Sequence, residues 1–131
     1  MPQPDVTAVV TAMFSAFARG DLDGMVDCLG EDFVWTLPTG HGDPQGQVVR
    51  GKAAARAVLA QRFFEDRAHA PVFSDTALEV AGELAILRFR VRAVGPDGAK
   101  VDTHGVELYR VTGGKIRSKE AYWKLVRWDP S

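Results

Sequence analysis

Residues 84–94 read LAILRFRVRAV, and the alternation within this stretch decides the fold class. Successive side chains of a β-strand point to opposite faces, so a strand here has one apolar face and one basic face. The apolar face carries Leu87, Phe89 and Val91, and the basic face carries Arg88, Arg90 and Arg92. We expect the apolar face to meet the core. The arginines then lie outward, on a surface that is solvated, faces a second copy of the chain, or binds an anion.

Turn signals on both sides of this stretch predict an antiparallel meander. Gly82-Glu83 precedes it, Gly95-Pro96-Asp97-Gly98 follows it, and Thr112-Gly113-Gly114 lies one strand further on. Short glycine-containing connections of this kind join neighbouring antiparallel strands. The predicted strands are Thr76–Val80, Leu84–Val94, Lys100–Val111 and Ile116–Trp128.

Helical periodicity dominates the residues that precede the meander. Apolar side chains from Val6 to Phe17 recur at helical spacing. Asp5 is the predicted N-cap of this helix, Gly20 its predicted end, and Asp21 the predicted cap of a short second helix. The sequence then predicts a strand at Phe33–Leu37, a long loop at 38–50 and a third helix at about Lys52–Asp66.

The order of these elements indicates a single α+β domain. Helices come first and strands afterwards, which places the helices together on one face of the sheet. Hydrophobic residues make up 46% of the chain and charged residues 25%, a balance that argues against disorder. Because the sequence shows no linker and no repeat, residues 1–131 are interpreted as one domain.

Charge and cysteine content exclude several classes of function. A net charge of −1 gives no overall field for phosphate backbones, so no nucleic-acid partner is predicted. The single cysteine, Cys28, cannot form an internal disulfide, and no signal peptide or membrane segment is recognisable, so we expect a cytoplasmic protein with no membrane partner. Three scattered histidines and one cysteine lack metal-ligand spacing, so neither a metal nor another cofactor is predicted.

Four segments carry a resemblance that spans nearly the whole chain. They are residues 18–26 (ARGDLDGMV), 31–35 (EDFVW), 50–54 (RGKAA) and 106–116, which holds VELYRV and Gly114-Lys115-Ile116. In order and spacing these segments resemble the ketosteroid isomerase-like and SnoaL-like proteins of the nuclear transport factor 2-like superfamily.

The resemblance implies a cone-shaped, cystatin-like fold. Three N-terminal helices would close a curved, mostly antiparallel sheet around a pocket. It also implies a homodimer that forms through the outer face of the sheet. Because the superfamily includes enzymes, binding proteins and scaffolds, the resemblance predicts the fold and not the reaction.

The catalytic residues of the isomerase are mostly absent at the positions that the resemblance assigns to them. Leu37 stands at the position of its general-base aspartate, and Met13 and Leu59 stand at the positions of two of its tyrosines. An acid of its oxyanion hole, which that enzyme holds neutral in an apolar site, has Glu107 as its counterpart. Steroid isomerisation by that mechanism is therefore not expected, because a leucine cannot accept a proton.

Glu107 and Lys119 are the predicted polar centre of the pocket and the candidate catalytic residues. Burial on the pocket face penalises the charge of Glu107 unless a cation lies beside it. A three-residue loop at Thr112-Gly113-Gly114, with Gly114 left-handed, pairs Val111 with Lys115 and hence Glu107 with Lys119. Three readings remain open: a structural or ligand-orienting ion pair, proton transfer, and a different register that separates the two residues.

Further residues are predicted to bind a ligand in the same pocket. They are Trp35, Leu37, His41, Val58, Tyr109 and Trp123, with Leu125 on the same face. Their apolar and aromatic character fits either a closed core or a pocket for a mostly apolar molecule. His41 lies in a glycine-rich loop that would cover the mouth of the pocket.

Two classes of function fit these features. The first is a pocket protein that binds a small, mostly apolar molecule. The alternative is an enzyme of the isomerase, cyclase or hydrolase class that acts on an apolar carbonyl-bearing substrate through Glu107 and Lys119. In both, apolar residues among the charges of the outer sheet face favour a homodimer. Those residues are Val106, Leu108, Tyr122 and Val126.

Overall fold

The computed structural model describes residues 5–39, 44–65, 70–94 and 98–124. Within these ranges the helices are α1 (Val6–Arg19), α2 (Leu22–Asp27) and α3 (Lys52–Leu59), and α3 continues into a π-helical turn (Ala60–Glu65). The strands are β1 (Leu29–Thr36), β2 (Val48–Arg50), β3 (Val72–Ala81), β4 (Leu84–Val94), β5 (Lys100–Thr112) and β6 (Lys115–Trp123). None of the described helices is long and apolar enough to cross a membrane.

The first helix begins and ends at the residues that the sequence predicts, and the second helix begins at its predicted cap. The carboxylate of Asp5 accepts a hydrogen bond from the backbone N–H of Thr7 at 3.0 Å. Asp21 accepts one from the N–H of Gly24 at 2.9 Å, and Gly20 ends α1 in the left-handed conformation. These contacts satisfy N–H groups that have no partner inside a helix, which is why short polar residues define the helix ends.

The sheet has the order β2-β1-β6-β5-β4-β3, in which β1 and β6 pair in parallel and the other neighbours pair antiparallel. The predicted meander of the last four strands is therefore confirmed, and so is the α+β class. The face that meets the helices buries Leu87, Phe89 and Val91, as the alternation predicts.

Carboxylates of the same chain neutralise the arginines of the outer face. Arg90 donates two hydrogen bonds to Asp102, at 2.8 and 2.7 Å. Arg92 lies 3.7 Å from the same carboxylate, and Arg88 lies 3.0 Å from Glu79. The arginines therefore form a grid of surface ion pairs, which weakens the case for an anion site among them.

The predicted boundaries of the 38–50 loop and of the first strand are wrong. Backbone hydrogen bonds between strands set these boundaries, and the local sequence pattern does not show them. The segment 38–50 is not wholly a loop, since its end forms β2, in which Arg50 pairs with Val34 of β1. Backbone hydrogen bonds from Leu37 to Gln47 and from Gln47 to Thr39, both 2.9 Å, turn the chain back onto β1. The first strand also begins earlier than predicted, at Leu29.

The end of the third helix and the start of β3 also differ from the predicted boundaries, because the backbone is irregular at both places. The third predicted helix ends at Leu59 and widens into the π-helical turn, which brings Phe63 to 5.2 Å from Phe17 between ring centroids. Strand β3 begins at Val72, and its register shifts between Ser74 and Ala77. Asp75 in this break has a positive φ of 52°, and a bulge of this kind hides the alternation from a sequence pattern.

The hairpin between β5 and β6 has a different register from the predicted one. Its turn is the two-residue Gly113-Gly114, with φ values of 60° and 73°, so Thr112 pairs with Lys115. Two consecutive positive φ values strongly favour glycine in such a turn. Glu107 consequently lies opposite Ala121 and not opposite Lys119.

A bulge in β6 decides which of its side chains face the core. Val111 pairs with Ile116, but Arg110 pairs with Ser118, so Arg117 is an extra residue. Since each one-residue shift exchanges the two faces of a strand, this extra residue turns Lys119 inward. A regular continuation from Val111 would instead have placed Glu120 opposite Glu107.

Gly105 allows three strands to pack closely around Trp123. A Cβ atom at position 105 would lie 2.7 Å from Trp123 Cδ1, 2.8 Å from the backbone oxygen of Tyr122 and 2.9 Å from Phe89 Cζ. Real Cβ contacts are longer than this, and one of the three atoms belongs to the backbone. The position therefore tolerates no side chain without displacement of its neighbours.

The substitution Gly105→Ala is expected to lower the free energy of unfolding by about 1–3 kcal/mol, the usual cost of overpacking a core. Urea denaturation measures the loss. Gly30→Ala on β1 is the matched control, because its new Cβ would meet the mobile ends of Arg117 and Asp32 instead of backbone. Equal losses in the two variants would contradict the packing argument.

Candidate functional site

An interior cavity of about 230 Å³ lies between the helices and the inner face of the sheet. Its apolar lining includes Met13, Phe17, Met25, Leu59, Phe63 and Leu87. The polar residues of its wall are Thr76 on β3 and a cluster formed by Glu107, Tyr109 and Lys119. An apolar enclosure with a few convergent polar groups is the usual composition of a small-molecule site.

The carboxylate of Glu107 holds the polar cluster together. Its Oε1 accepts a hydrogen bond of 2.5 Å from the Tyr109 hydroxyl, and its Oε2 lies 3.5 Å from Lys119 Nζ. Only 7% of the Glu107 side chain and 13% of the Lys119 side chain are exposed. The predicted ion pair is therefore present, although it runs diagonally across the two strands and not between directly opposite residues.

Aromatic rings complete the environment of the Lys119 ammonium group. Its Nζ lies 4.6 Å from the centroid of the Trp35 ring and 5.7 Å from that of Tyr109. Cation–π contacts at these distances attract the ammonium group to the two ring faces. The ammonium has three N–H donors, and one carboxylate oxygen engages at most part of them.

Tyr109 acts as a fixed hydrogen-bond donor to the carboxylate. Complete burial raises the pKa of the Tyr109 hydroxyl well above its ordinary value, and the charge and hydrogen bond of Glu107 raise that pKa further. The hydroxyl therefore stays protonated at physiological pH. With Tyr109 on one oxygen and Lys119 on the other, Glu107 has both oxygens engaged.

Arg62 is a second cation that feels the charge of Glu107, and no sequence pattern pointed to it. Burial lowers the pKa of the Arg62 guanidinium, and the charge of Glu107 opposes that shift. Arg62 belongs to the π-helical turn, where its guanidinium lies 5.9 Å from the centroid of the Phe63 ring. Local periodicity could not reveal this, because the change from α- to π-helix reorients the side chains.

The structure brings some of the predicted site residues together and separates others. Glu107, Lys119 and Tyr109 line the cavity, and Trp35 covers the ammonium of Lys119. Leu37 and Val58 pack in the core, outside the cavity wall as the described residues form it. Trp123 packs against Gly105 and borders a separate hollow on the outer side.

Other sequence predictions for the site fall outside this cavity or outside the described residues. His41 and Leu125 lie outside the residues that the structure describes. Within the described ranges no three His, Cys, Asp or Glu side chains form a group suited to a metal ion. The contributions of Met25, Phe73 and Thr76 to the cavity were not predicted, since each depends on how distant elements pack.

Replacement of Lys119 by Met is expected to destabilise the fold more at pH 8 than at pH 5. It leaves the buried Glu107 carboxylate without its ion-pair partner, and removing one partner of a buried pair costs about 3–5 kcal/mol. In this variant the folded state favours protonated Glu107, so the loss is small near the unfolded glutamate value of about pH 4.3 and grows as the pH rises above it. Thermal unfolding at the two pH values measures the difference.

The double variant Lys119→Met with Glu107→Gln is the control for this prediction, because it removes the stranded charge. It should recover much of the stability lost at pH 8. A loss in Lys119→Met that is small and equal at both pH values would mean that the pair is solvated.

Comparisons with known proteins agree with this architecture. A sequence profile of the SnoaL-like domain matches residues 10–119. A proposed polyketide cyclase from Xanthomonas campestris pv. campestris shares 25% identity and a TM-score of 0.71, with 91% of this chain and 90% of that chain covered. No curated protein sequence matches the chain.

Two more distant solved structures share the fold. An NTF2-like protein of unknown function from Burkholderia pseudomallei has 20% identity and a TM-score of 0.73, covering 91% of this chain and 90% of that one. A Mycobacterium tuberculosis protein in complex with estradiol-17beta-hemisuccinate has 20% identity and a TM-score of 0.70, covering 92% and 94%. The profile covers most of the chain, and the structures cover its sheet and helices together. The chain therefore belongs to the SnoaL-like domain family.

Proposed function

We propose that the chain binds a small, mostly apolar molecule in its interior cavity. The observation that carries this proposal is an apolar cavity with a charged cluster, Glu107–Tyr109–Lys119, on the wall that the described residues form. A closed core would have no reason to retain an ion pair beside an unfilled volume, since burial of charge is costly. At about 230 Å³ the cavity is smaller than the roughly 300–1,000 Å³ typical of drug-sized ligands, which favours a compact ligand.

The hydrogen-bonding inventory of the cluster favours a ligand with an acceptor group. Both oxygens of Glu107 are engaged by Tyr109 and Lys119, whereas the Lys119 ammonium has further N–H donors next to the cavity. A carbonyl oxygen is the simplest group that complements such a donor. A hydroxyl group would also need an acceptor for its own proton, and the carboxylate offers little free capacity.

The structural relatives support an apolar ligand. The Mycobacterium tuberculosis protein of the same fold is in complex with a steroid derivative, and the Xanthomonas campestris protein is a proposed polyketide cyclase. Both descriptions concern those proteins. The steroid complex supports the proposal because it associates this fold with a largely apolar molecule.

An enzyme acting on a carbonyl-bearing apolar substrate is the second candidate. The observation that favours it is that Glu107 and Lys119 both line the cavity, so a bound molecule can reach a proton acceptor and a proton donor. A positioned proton donor and acceptor can serve isomerase, cyclase or hydrolase chemistry. The route of the ketosteroid isomerase is not expected, because Leu37 is buried in the core and cannot act as a base.

We also propose that the chain forms a homodimer through the outer face of the sheet. The ring of Tyr122 is prominent there, with 53% of the residue exposed, and it borders an open hollow of about 660 Å³. Val106 lies beside it on β5, opposite Tyr122 in the sheet register. An aromatic side chain beside a hollow, among paired charges, suits a self-complementary contact between two copies.

The ligand proposal predicts that benzylacetone binds more tightly than the alcohol formed by its reduction. One hydrogen bond to a charged donor contributes about 1.5 kcal/mol, so the ketone should bind roughly tenfold more tightly. Methyl NMR should show shifts at Met13, Met25 and Leu87, while the exposed Val80 on β3 remains unchanged.

Lys119→Met should remove the preference for the ketone while leaving binding of the alcohol nearly unchanged. Lys100→Met, which alters an exposed lysine at the start of β5, is the matched control and should retain the preference. Methyl shifts that avoid the cavity residues altogether would contradict the proposed binding site.

The dimer proposal predicts that the native chain sediments as a dimer and that Tyr122→Glu weakens association by roughly 30-fold, as expected for loss of a central aromatic contact. Analytical ultracentrifugation over a range of concentrations measures both. Val80→Glu places the same charge on an edge-strand valine that is 41% exposed and should leave the dimer intact. A native chain that remains monomeric at high micromolar concentration would refute the proposal.

A further inference from the structure

Lys119 is a primary amine on the wall of an apolar cavity, which distinguishes it from the other lysines. Lys100, Lys115 and Lys124 are exposed, and Lys52, whose side chain is 23% exposed, lies outside the cavity and 3.9 Å from the exposed Glu31. The Lys119 side chain is only 13% exposed, and it lines the cavity in which the proposed ligand lies. Lysines in such sites react with carbonyl groups when their proton can be removed.

Glu107 is placed to accept that proton. Its Oε2 is 3.5 Å from Lys119 Nζ, with no other described base as close to the ammonium. Transfer of one proton from Nζ to Oε2 converts two buried charges into a neutral amine and a neutral acid. A ligand that fills the cavity and excludes water favours the neutral pair, because burial penalises the charged forms.

Tyr109 keeps the carboxyl group in position during this exchange. Its hydroxyl donates to Oε1 at 2.5 Å and leaves Oε2 directed at the lysine. Because the hydroxyl remains protonated, it does not compete for the proton that moves between Nζ and Oε2.

We propose that Lys119 forms a reversible imine with an aldehyde or ketone group of the ligand. This inference rests on the proposed function, because the ligand must first occupy the cavity. It goes further in assigning to Lys119 a covalent role and to the ligand a reactive carbonyl group.

The atoms and charges of the reaction balance with the residues present. The neutral Nζ attacks the carbonyl carbon, so a C–N bond forms as the C–O π bond breaks, and the oxygen takes the proton held by Glu107. The nitrogen then returns a proton to Glu107, which delivers it to the departing hydroxyl group. Water leaves, and the products are a protonated imine on Lys119 and the Glu107 carboxylate.

The surroundings of Lys119 suit the product as well as the free amine. The protonated imine carries one positive charge on the same nitrogen, next to the same carboxylate. The faces of Trp35 and Tyr109, at 4.6 and 5.7 Å from that nitrogen, continue to stabilise the cation. No redox step and no further reactant is needed.

Reductive trapping tests the inference directly. The full chain is incubated with hydrocinnamaldehyde and sodium cyanoborohydride, and the adduct is located by intact mass and peptide mapping. Lys119 should carry at least about tenfold more phenylpropyl label than Lys100 under the same conditions, given its enclosed site and adjacent base. Lys100→Arg should leave labelling at Lys119 unchanged.

Lys119→Arg is the principal variant, because arginine retains a cation for Glu107 but forms no stable imine under these conditions. Near-UV circular dichroism verifies its fold, and the cavity adduct should be absent. Label distributed equally among Lys119, Lys100 and Lys115 would overturn the inference.

A parallel titration with hydrocinnamyl alcohol separates failure of this inference from failure of the proposed function. The alcohol cannot form an imine, so its methyl shifts at Met13, Met25 and Leu87 report entry into the cavity alone. If the alcohol enters and the aldehyde leaves Lys119 unlabelled, the covalent role is wrong and the binding proposal stands. If neither molecule reaches the cavity, both are wrong.

Discussion

The buried carboxylate of Glu107 is the group on which the arrangement of the cavity depends. A lone charge at this depth would be strongly unfavourable, so the structure must supply partners for both of its oxygens. Tyr109, two residues along the same strand, supplies a hydrogen bond, and Lys119 from the next strand supplies a cation. The cavity wall therefore holds a donor-rich cluster, with a lysine beside the open volume. The proposals for ligand binding, catalysis and imine formation all depend on that cluster.

The bulge at Arg117 is what brings Lys119 to the carboxylate. It changes the face of every later residue in β6, and without it Glu120 would face Glu107 and place two acids together. The side chain of Arg117 holds the bulge against the two adjacent strands. It donates to the backbone oxygen of Thr112 on β5 at 3.2 Å and pairs with Asp32 on β1 at 3.1 Å. A surface irregularity thus decides the chemistry of the interior. The contacts of Arg117 on the surface thus help to determine which β6 side chains face the cavity.

The sequence predicted well wherever a local rule acts alone. Asp5 and Gly20 mark the ends of α1 because the end groups of a helix need specific partners. The alternation of β4 showed which of its faces is buried, because a strand has a strict period of two. Prediction failed at β2 and at the start of β3. In β2 the glycine- and proline-rich sequence concealed a pairing made by distant backbone groups, and in β3 the break at Asp75 interrupted the alternation.

The sequence by itself determined the α+β class, the apolar and charged faces of the sheet, and the pairing of Glu107 with Lys119 as candidate partners. It predicted that pair through a register displaced by two residues, and the pair survived because a shift of two keeps the same face. Only the tertiary structure decided the hairpin register, the cation of Arg62 near Glu107, and which apolar residues leave a volume unfilled. These features arise from contacts between elements far apart in the chain. Their geometry depends on packing and on bulges, which no local period of two or of 3.6 residues encodes.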